Sequence, residues 1–246
     1  TFDRSLSPLI TRQWQALESS ASYLPIVHLG GFDQADLRAT VAQSFDDELD
    51  FQVELIRMKE DDLYRQRLAH HAWRETLLHH TYSHRVRTIC ERLGIVHDWE
   101  EYPKASVITP TIRPDRVGDA ISNYRNQTYP ERELIVVYNA EKPEPLPVET
   151  QASDILVAHV PPDQFVEKGT EMGVKLSSGD FFFILDCEDT VGKNYLLDLM
   201  LCLRNVQAGA LSHSPALVSL EDENGDIFLT VNWHQSFLLS SSGVPV

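Results

Sequence analysis

The sequence has little cysteine, comparatively few basic residues and no long apolar run. Its three cysteines, Cys90, Cys187 and Cys202, fit neither a CxxC motif nor the spacing of zinc ligands, so we expect free thiols and a cytoplasmic protein. Lys and Arg number 21 against 37 Asp and Glu, and the formal net charge of −16 makes nucleic acid an unexpected partner. No run reaches the length of about 18 apolar residues that typically indicates a membrane-spanning helix.

Proline and glycine are absent between Asp33 and Gly94, so this stretch lacks the main helix breakers. Apolar residues recur there at helical spacing, in the groups Leu49, Val53 and Ile56; Leu63, Trp73 and Leu77; and Val86, Ile89 and Leu93. We therefore predict a helical N-terminal region, residues 1–99, with two or three helices in this stretch. The last helix should end at Leu93-Gly94, because glycine suits a left-handed C-cap position.

Five histidines lie in the same stretch, namely His70, His71, His79, His80 and His84. His80 and His84 are four residues apart, so on a single helix they would share one face. The stretch lacks the glutamate of an HExxH metal motif, and adjacent pairs such as His70-His71 point in different directions. We therefore interpret these histidines as surface or partner-facing residues and not as metal ligands.

From about residue 100 the pattern changes to alternating strands and helices. Apolar runs predict strands at 105–109, 133–138, 155–159 and 181–185, and helices are predicted at 114–126, 165–177 (ended by Gly179) and 194–206. The run Leu134-Ile135-Val136-Val137 is typical of a strand buried on both faces, as in parallel sheets. We predict that residues 100–246 form an α/β domain with a mostly parallel sheet flanked by helices. A hairpin with Asn224-Gly225 in its turn should follow.

Small polar residues follow the first predicted strand of this domain, where a helix begins. The segment is Ser106-Val107-Ile108-Thr109-Pro110-Thr111-Ile112-Arg113-Pro114-Asp115-Arg116. Ligands in open α/β sheets bind at the carboxyl ends of strands. A helix start adds free N–H groups and a positive dipole end, which favour an anionic ligand. The end of this strand is therefore a candidate binding site.

The same segment resembles the opening of family 2 glycosyltransferases, which have the GT-A (Rossmann-like) fold. The resemblance continues in order and spacing through Asn126-Gln127-Thr128-Tyr129-Pro130 and Glu133-Leu134-Ile135-Val136-Val137. It implies that the ligand is a nucleotide-diphosphate sugar and that Thr109, Pro110, Thr111 and Arg113 lie around its nucleoside. Family members commonly carry acidic residues after the second strand. Asn139 stands there in this chain, and we expect its amide to contact the edge of the base.

A later segment resembles the strand of this family that leads into a D-x-D motif. It is Gly179-Asp180-Phe181-Phe182-Phe183-Ile184-Leu185-Asp186-Cys187-Glu188-Asp189. Mg²⁺ and Mn²⁺ prefer carboxylate and phosphate oxygens. We therefore predict that a divalent cation is held by Glu188 and Asp189, with Asp186 in contact with the nucleotide sugar. The residues leave open the alternative that these three side chains only end a strand and cap the following helix.

The resemblance implies transfer of a sugar, with inversion, from the nucleotide-sugar donor to an acceptor glycan, metabolite or protein. Inversion needs a general base. The residues after Asp189 show no counterpart of the late aspartate that usually serves in this family, so we assign no catalytic residue and expect a domain truncated at its C-terminus. The alternative is a non-catalytic GT-A-like module for binding or assembly. Residues 80–94 also resemble the helix that precedes such domains in multidomain members. This predicts that the N-terminal helices make oligomer or interdomain contacts.

Overall fold

In the computed structural model, the described residues are 8–30, 41–96, 102–142 and 152–205, together with four short strands beyond them. The contacts of the chain divide it into two compact units, Thr1–Trp99 and Glu100–Val246. Among the described residues, no helix is both long and apolar enough to cross a membrane.

The N-terminal unit consists mainly of helices. Its described elements are α1 (Pro8–Ala21), β1 (Val27–Leu29), β2 (Gln43–Phe45), α2 (Glu48–Glu60), α3 (Asp62–His79) and α4 (Tyr82–Arg92). The helices predicted between Asp33 and Gly94 are confirmed, and there are three of them in the described part of that stretch. The sequence pattern does not predict the parallel pair β1–β2, because each strand has only three residues.

Aspartate side chains determine where α2 and α3 begin. The Asp47 carboxylate accepts hydrogen bonds from the backbone N–H groups of Leu49 (2.8 Å) and Asp50 (3.1 Å). Asp61 accepts one from the backbone N–H of Tyr64 at 2.8 Å. These N-caps satisfy donors that have no partner inside the first helical turn. The chain therefore changes from one helix to the next at Asp61 without a proline or a glycine.

The end of α4 agrees with the sequence prediction, but the histidine spacing does not. Leu93 is the C-cap of α4, and Gly94 has a φ of +67°, in the left-handed region. His80 is the residue at which α3 ends, whereas His84 lies inside α4. The idea that these two histidines share one helix face is therefore wrong.

Helix α1 packs against α3 in the interior of the N-terminal unit. The hydroxyls of Ser20 and Thr76 are buried there and lie 2.6 Å apart. Just after α1, the Tyr23 hydroxyl is hydrogen-bonded to Nδ1 of His70, and the rings of Tyr23 and Trp73 are 6.0 Å apart. Aromatic and hydroxyl contacts thus hold these two helices together.

The C-terminal unit alternates strands and helices. Its described elements are β3 (Ala105–Thr111), a 3-10 turn (Pro114–Arg116), α5 (Val117–Arg125), β4 (Arg132–Asn139), β5 (Ile155–Val160), a second 3-10 turn (Pro162–Gln164), α6 (Phe165–Leu176), β6 (Phe181–Ile184), α7 (Tyr195–Asn205), β7 (Ala210–His213), β8 (Leu217–Glu221), β9 (Ile227–Val231) and β10 (Phe237–Ser240). Strands β8 and β9 pair antiparallel, which confirms the pairing of the predicted hairpin. Its turn, with Asn224-Gly225, lies outside the described residues.

A four-stranded parallel sheet with the order β5-β4-β3-β6 forms the centre of this unit. The predicted α/β class, with a parallel sheet flanked by helices, is confirmed. Residues 133–138 of β4 are buried on both faces, as their continuous apolar run predicts. On one face, Phe165 of α6 packs against Ile108, Ile135 and Val137.

Two glycines allow other parts of the chain to approach β3 closely. A Cβ atom at Gly173 of α6 would lie 2.3 Å from Cγ2 of Ile108, so the helix reaches the sheet only without a side chain there. A Cβ atom at Gly179 would lie 2.6 Å from Oγ of Ser106. Helix α6 already ends at Ser177, whose backbone is extended, so the prediction that Gly179 ends this helix is wrong. Gly179 instead makes room for the first strand of the sheet.

A buried carboxylate joins three segments at the edge of the sheet where the strands begin. Glu133 accepts hydrogen bonds from Lys104 Nζ (2.6 Å), Ser106 Oγ (2.6 Å), and the backbone N–H (2.7 Å) and hydroxyl (2.8 Å) of Ser178. Burial by itself raises the pKa of Glu133, but these hydrogen bonds outweigh it and lower the pKa to about 2. The network therefore fixes the edge opposite to the one where the strands end.

Candidate functional site

The order of the strands reverses between β3 and β6. From β3 the chain crosses to β4 and then to β5, and from β5 it returns to β6 on the other side of β3. Ligands in open α/β sheets bind outside the carboxyl ends of the strands at such a reversal. Strand β3 ends at Thr111 and β6 ends at Ile184. The segments that follow these two residues therefore form the candidate site.

Two direct contacts connect these segments. Nη1 of Arg113 lies 3.3 Å from a carboxylate oxygen of Glu188, and Nη2 lies 3.0 Å from Asp115. The hydroxyl of Thr111 lies 3.1 Å from Sγ of Cys187 and accepts a hydrogen bond from the backbone N–H of Arg113 at 2.9 Å. The hydrogen bond and charge of Asp115, followed by the charge of Glu188, raise the pKa of the Arg113 guanidinium. The structure thus brings together Thr111, Arg113 and Glu188, which the sequence places up to 77 positions apart by subtraction of residue numbers.

The residues after β6 form an acidic loop, defined here as Asp186 to Asp189. The side chains of Asp186, Glu188 and Asp189 are exposed, whereas Cys187 is buried. The Asp186 carboxylate accepts a hydrogen bond from the backbone N–H of Glu188 at 3.0 Å, which tightens the turn. Partial burial and then the charges of Asp186 and Glu188 raise the pKa of Asp189. The three carboxylates therefore repel one another, and a cation at this loop would relieve that repulsion.

The arrangement of these carboxylates decides which kind of metal site they fit. Within the described ranges, no group of three His, Cys, Asp or Glu side chains is arranged to hold a metal ion. One carboxylate, Glu188, also has Arg113 as its ion-pair partner. Mg²⁺ is usually bound through one or two carboxylates together with phosphate oxygens and water, so it does not require a cage built from the protein alone. A divalent cation at the acidic loop would therefore need phosphate oxygens or water as its further ligands.

Thr109 and Pro110 differ in how far their side chains are exposed at the carboxyl edge of the sheet. Ile108 faces α6, and because side chains alternate along a strand, Thr109 points to the opposite face of the sheet. Thr109 is fully buried, and its hydroxyl has no hydrogen-bond partner within the described part of the chain. Pro110, one residue further along, is only half-buried.

Asn139 lies at the same edge of the sheet as Thr111. In the register of β3 and β4, Thr111 is paired with Tyr138, so Asn139 is one residue beyond that pair. Asn139 is half-buried and is paired with Val160 at the end of β5. A residue that contacts a ligand at this edge must lie at a strand end, and Asn139 does.

A buried glutamine, Gln127, holds the segment just beyond the acidic loop. Gln127 Oε1 accepts a hydrogen bond from the backbone N–H of Leu196 (2.9 Å), and Nε2 donates to the carbonyl of Gly192 (3.1 Å). Asn123 Nδ2 donates to the carbonyl of Asp189 at 2.6 Å. We call these two side chains, Asn123 and Gln127, the amide clamp. Gln127 belongs to the segment at 126–130 that carries the family resemblance, which was the only sequence signal for it.

Thr128 makes two further hydrogen bonds between the segment after α5 and the loop before α7. Its backbone N–H donates to the carbonyl of Lys193 at 2.8 Å, and its hydroxyl donates to Oδ1 of Asn194 at 2.8 Å. The segment that follows α5 is therefore fastened to the loop that leads into α7. The position of the acidic loop depends on these contacts as well as on β6.

Comparison with known proteins gives only a partial likeness. No protein-family model matches the chain, and no curated protein matches it significantly. Among solved structures, the crystal structure of S. aureus TarS 1–349, a GT-A-type glycosyltransferase, is similar at 20% sequence identity and a TM-score of 0.38. The match covers 43% of this chain and 33% of the TarS chain, so it spans about a third of the length of TarS 1–349.

Proposed function

We propose that the C-terminal unit binds a nucleotide-diphosphate sugar at the carboxyl edge of β3 and β6. It transfers the sugar, with inversion, to an acceptor that is a glycan, a metabolite or a protein, and it acts in the cytoplasm. The observation that carries the proposal is the ion pair between Arg113 and Glu188. This pair joins the two segments that resemble family 2 glycosyltransferases at the reversal point of the sheet, where ligands of α/β folds bind.

Arg113 is the proposed contact to the diphosphate. Its guanidinium carries a permanent positive charge and several donors in a planar fork, which suits phosphate oxygens. Asp115 and Glu188 hold this fork at the sheet edge. In the proposed complex Thr109, Pro110 and Thr111 lie around the nucleoside.

Asn139 is the proposed contact to the base. Its amide offers both a donor and an acceptor, so it can pair with the edge of a nucleobase. Asp186 is the proposed contact to the ribose. Because Asn139 follows β4 and Asp186 follows β6, the two side chains would hold the nucleoside from strands on either side of β3.

Glu188 and Asp189 are the proposed ligands of a divalent cation, Mn²⁺ or Mg²⁺, which they share with the diphosphate. Their exposure supports this role. Partial burial first, and then the charges of Asp186 and Glu188, raise the pKa of Asp189, and a cation would lessen the repulsion among these carboxylates. When bound, such a cation neutralises negative charge on the departing nucleoside diphosphate. The protein groups then have the tasks of orienting the donor and holding its phosphates.

A second candidate function is a non-catalytic module that binds the same ligand. The observation that favours it is also the Arg113–Glu188 pair, because it gives a carboxylate of the acidic loop a partner within the protein. A module of this kind would bind a nucleoside diphosphate and would not transfer a sugar. The two candidates therefore share a binding site and differ in turnover.

Titration calorimetry of the full chain with UDP, GDP, CDP and ADP, with and without Mn²⁺, tests the shared site. We expect one of these nucleotides to bind, and more tightly with the cation. Arg113→Gln should weaken that binding about 10- to 100-fold, because a hydrogen bond to a charged group contributes about 1.5–3 kcal/mol. Arg116→Gln is the matched control, since Arg116 is exposed and pairs with Asp119 at 3.0 Å on the following helix.

Binding of none of the four nucleotides would refute both candidates. An equal loss of affinity in the Arg113 and Arg116 variants would show that only general electrostatic attraction is involved. Incubation with the corresponding nucleotide sugars separates the candidates. Release of the nucleoside diphosphate supports the transferase, and tight binding without any release supports the non-catalytic module.

A further inference from the structure

An apolar stripe lies on the outer side of α2. Leu49, Val53 and Ile56 are 68%, 57% and 55% exposed. The buried side of the helix, with Glu54 and Met58, lies on the opposite side, where α2 packs against α3. The three apolar residues are spaced by four and then three positions, which is the spacing of the seam between paired helices. The stripe has no covering within the described residues, and its pattern is that of a helix with a partner.

The charges beside this stripe change sign along the helix. Glu48 and Asp50 lie in the first turn, and Arg57 and Lys59 lie in the last turn. At 100° per residue, Asp50 and Arg57 fall on one flank of the stripe, and Glu48 and Lys59 fall on the other. All four side chains are exposed, and the Arg57 guanidinium also lies over the Tyr64 ring of α3, 3.6 Å from the ring centre. Each flank therefore begins with an acidic residue and ends with a basic one.

We propose that α2 pairs antiparallel with α2 of a second copy of this chain. A two-fold axis near Val53 brings the same flank of both helices together in opposite directions. Asp50 then lies beside Arg57 of the other copy, and Glu48 lies towards Lys59 of the other copy. These four flank residues then each meet an opposite charge, while the apolar stripes cover each other. A parallel pairing would bring like charges together at both ends.

Helix α4 carries a similar stripe with different flanks, and it provides a comparison. Tyr82, Val86, Ile89 and Leu93 are 70%, 49%, 56% and 68% exposed. Two arginines, Arg85 and Arg92, fall on one flank of this stripe. An antiparallel pair of α4 helices would bring these positive charges together. Antiparallel self-pairing is therefore favoured for α2 and disfavoured for α4.

Sedimentation velocity of the full chain over a range of concentrations tests the pairing. The stripe is small compared with the roughly 1,600 Å² of a standard interface, so the expected dimer is weak and depends on concentration. Val53→Asp should make the chain monomeric, because it places two carboxylates at the axis. Ile89→Asp, an equally exposed apolar position on α4, should leave the dimer unchanged.

Charge reversals test the antiparallel register directly. Asp50→Lys alone and Arg57→Glu alone should each weaken the dimer about tenfold, since each replaces two attractive contacts by two repulsive ones. A mixture of these two variants should form a heterodimer as tight as the wild-type dimer. In that heterodimer the introduced lysine of one copy meets the introduced glutamate of the other, and the retained Arg57 meets the retained Asp50. Recovery on mixing does not depend on any effect of the substitutions on the fold of a single chain.

Three results would overturn the proposal. The first is a wild-type chain that remains monomeric at every concentration. The second is a dimer that is lost in Ile89→Asp and kept in Val53→Asp, which would assign the contact to α4. The third is a mixture of the two charge variants that associates no better than either alone.

Discussion

Replacing Glu133 by glutamine should destabilise the parallel sheet in a pH-dependent manner. In the folded chain its pKa is lowered from 4.5 to about 2 by hydrogen bonds from Lys104, Ser106 and Ser178, which outweigh the effect of burial. Each pKa unit corresponds to about 1.4 kcal/mol, so the charged form stabilises the fold by about 3 kcal/mol at neutral pH. Because the folded pKa is the lower one, this contribution is complete above about pH 5 and declines as the pH falls from 4.5 towards 2.

Hydrogen exchange measured by mass spectrometry on peptides from β3 and β4 provides the assay, because it reports the opening of this unit alone. At pH 7, Glu133→Gln should speed exchange by about 100-fold after correction for intrinsic rates, and at pH 3 by only about tenfold. Glu131→Gln is the control, since this nearby glutamate is exposed. Equal exchange in wild type and Glu133→Gln at pH 7 would refute the reasoning, as would a difference that persists unchanged at pH 3.

Three further predictions concern packing and access near the candidate site. Gly173→Ala should destabilise the chain by about 1–3 kcal/mol in thermal unfolding, because the new methyl group overlaps the first strand of the sheet. Gly118→Ala, where a Cβ atom meets nothing within 4 Å, should be neutral or stabilising, and equal effects would contradict the argument. Gln127→Ala should weaken nucleotide binding in calorimetry although it touches no ligand, and unchanged affinity would remove the role of the amide clamp. Iodoacetamide should label Cys187 more slowly than the half-buried Cys90 in peptide mass spectrometry, because burial raises the pKa of the Cys187 thiol; equal rates would argue against its burial.

The strands of the sheet could be predicted because each is an apolar run bounded by polar residues. Residues 133–138 form such a run in β4, and their burial on both faces follows from it. The three-residue strands β1 and β2 could not be predicted, because a period of two residues cannot be recognised over so short a length. The helix boundary at Asp61 also has no glycine or proline to mark it, and only the cap geometry shows its cause.

The apolar spacing predicted helices correctly but not which of their faces is buried. The group Leu49, Val53 and Ile56 has the spacing of a core-facing stripe, yet all three residues are exposed. A spacing of four and three residues is typical both of a helix on its own core and of a helix on another chain, so the sequence alone does not separate the two.

For each site residue, the sequence could predict only which strand end it follows. Arg113 and Glu188 each follow a strand of the parallel sheet, so both are expected at the carboxyl edge of the sheet, where ligands bind. The ion pair between them agrees with this expectation. The burial of Thr109 depends on which face of β3 each helix covers, which the sequence does not state. The role of Gln127 depends on contacts with residues more than 60 positions away, so no local pattern could indicate it.

The amide clamp determines how much order the candidate site already has before a ligand arrives. The acidic loop is tied at Asp189 to Asn123 of α5, and the segment just beyond it is tied to Gln127, which follows α5. At the beginning of the loop, Cys187 contacts Thr111. Fixing the backbone of one residue costs about 1–2 kcal/mol of conformational entropy. For this loop the backbone is already fixed by folding, so ligand binding does not have to order it. Binding at this edge would therefore draw on a preorganised set of charges.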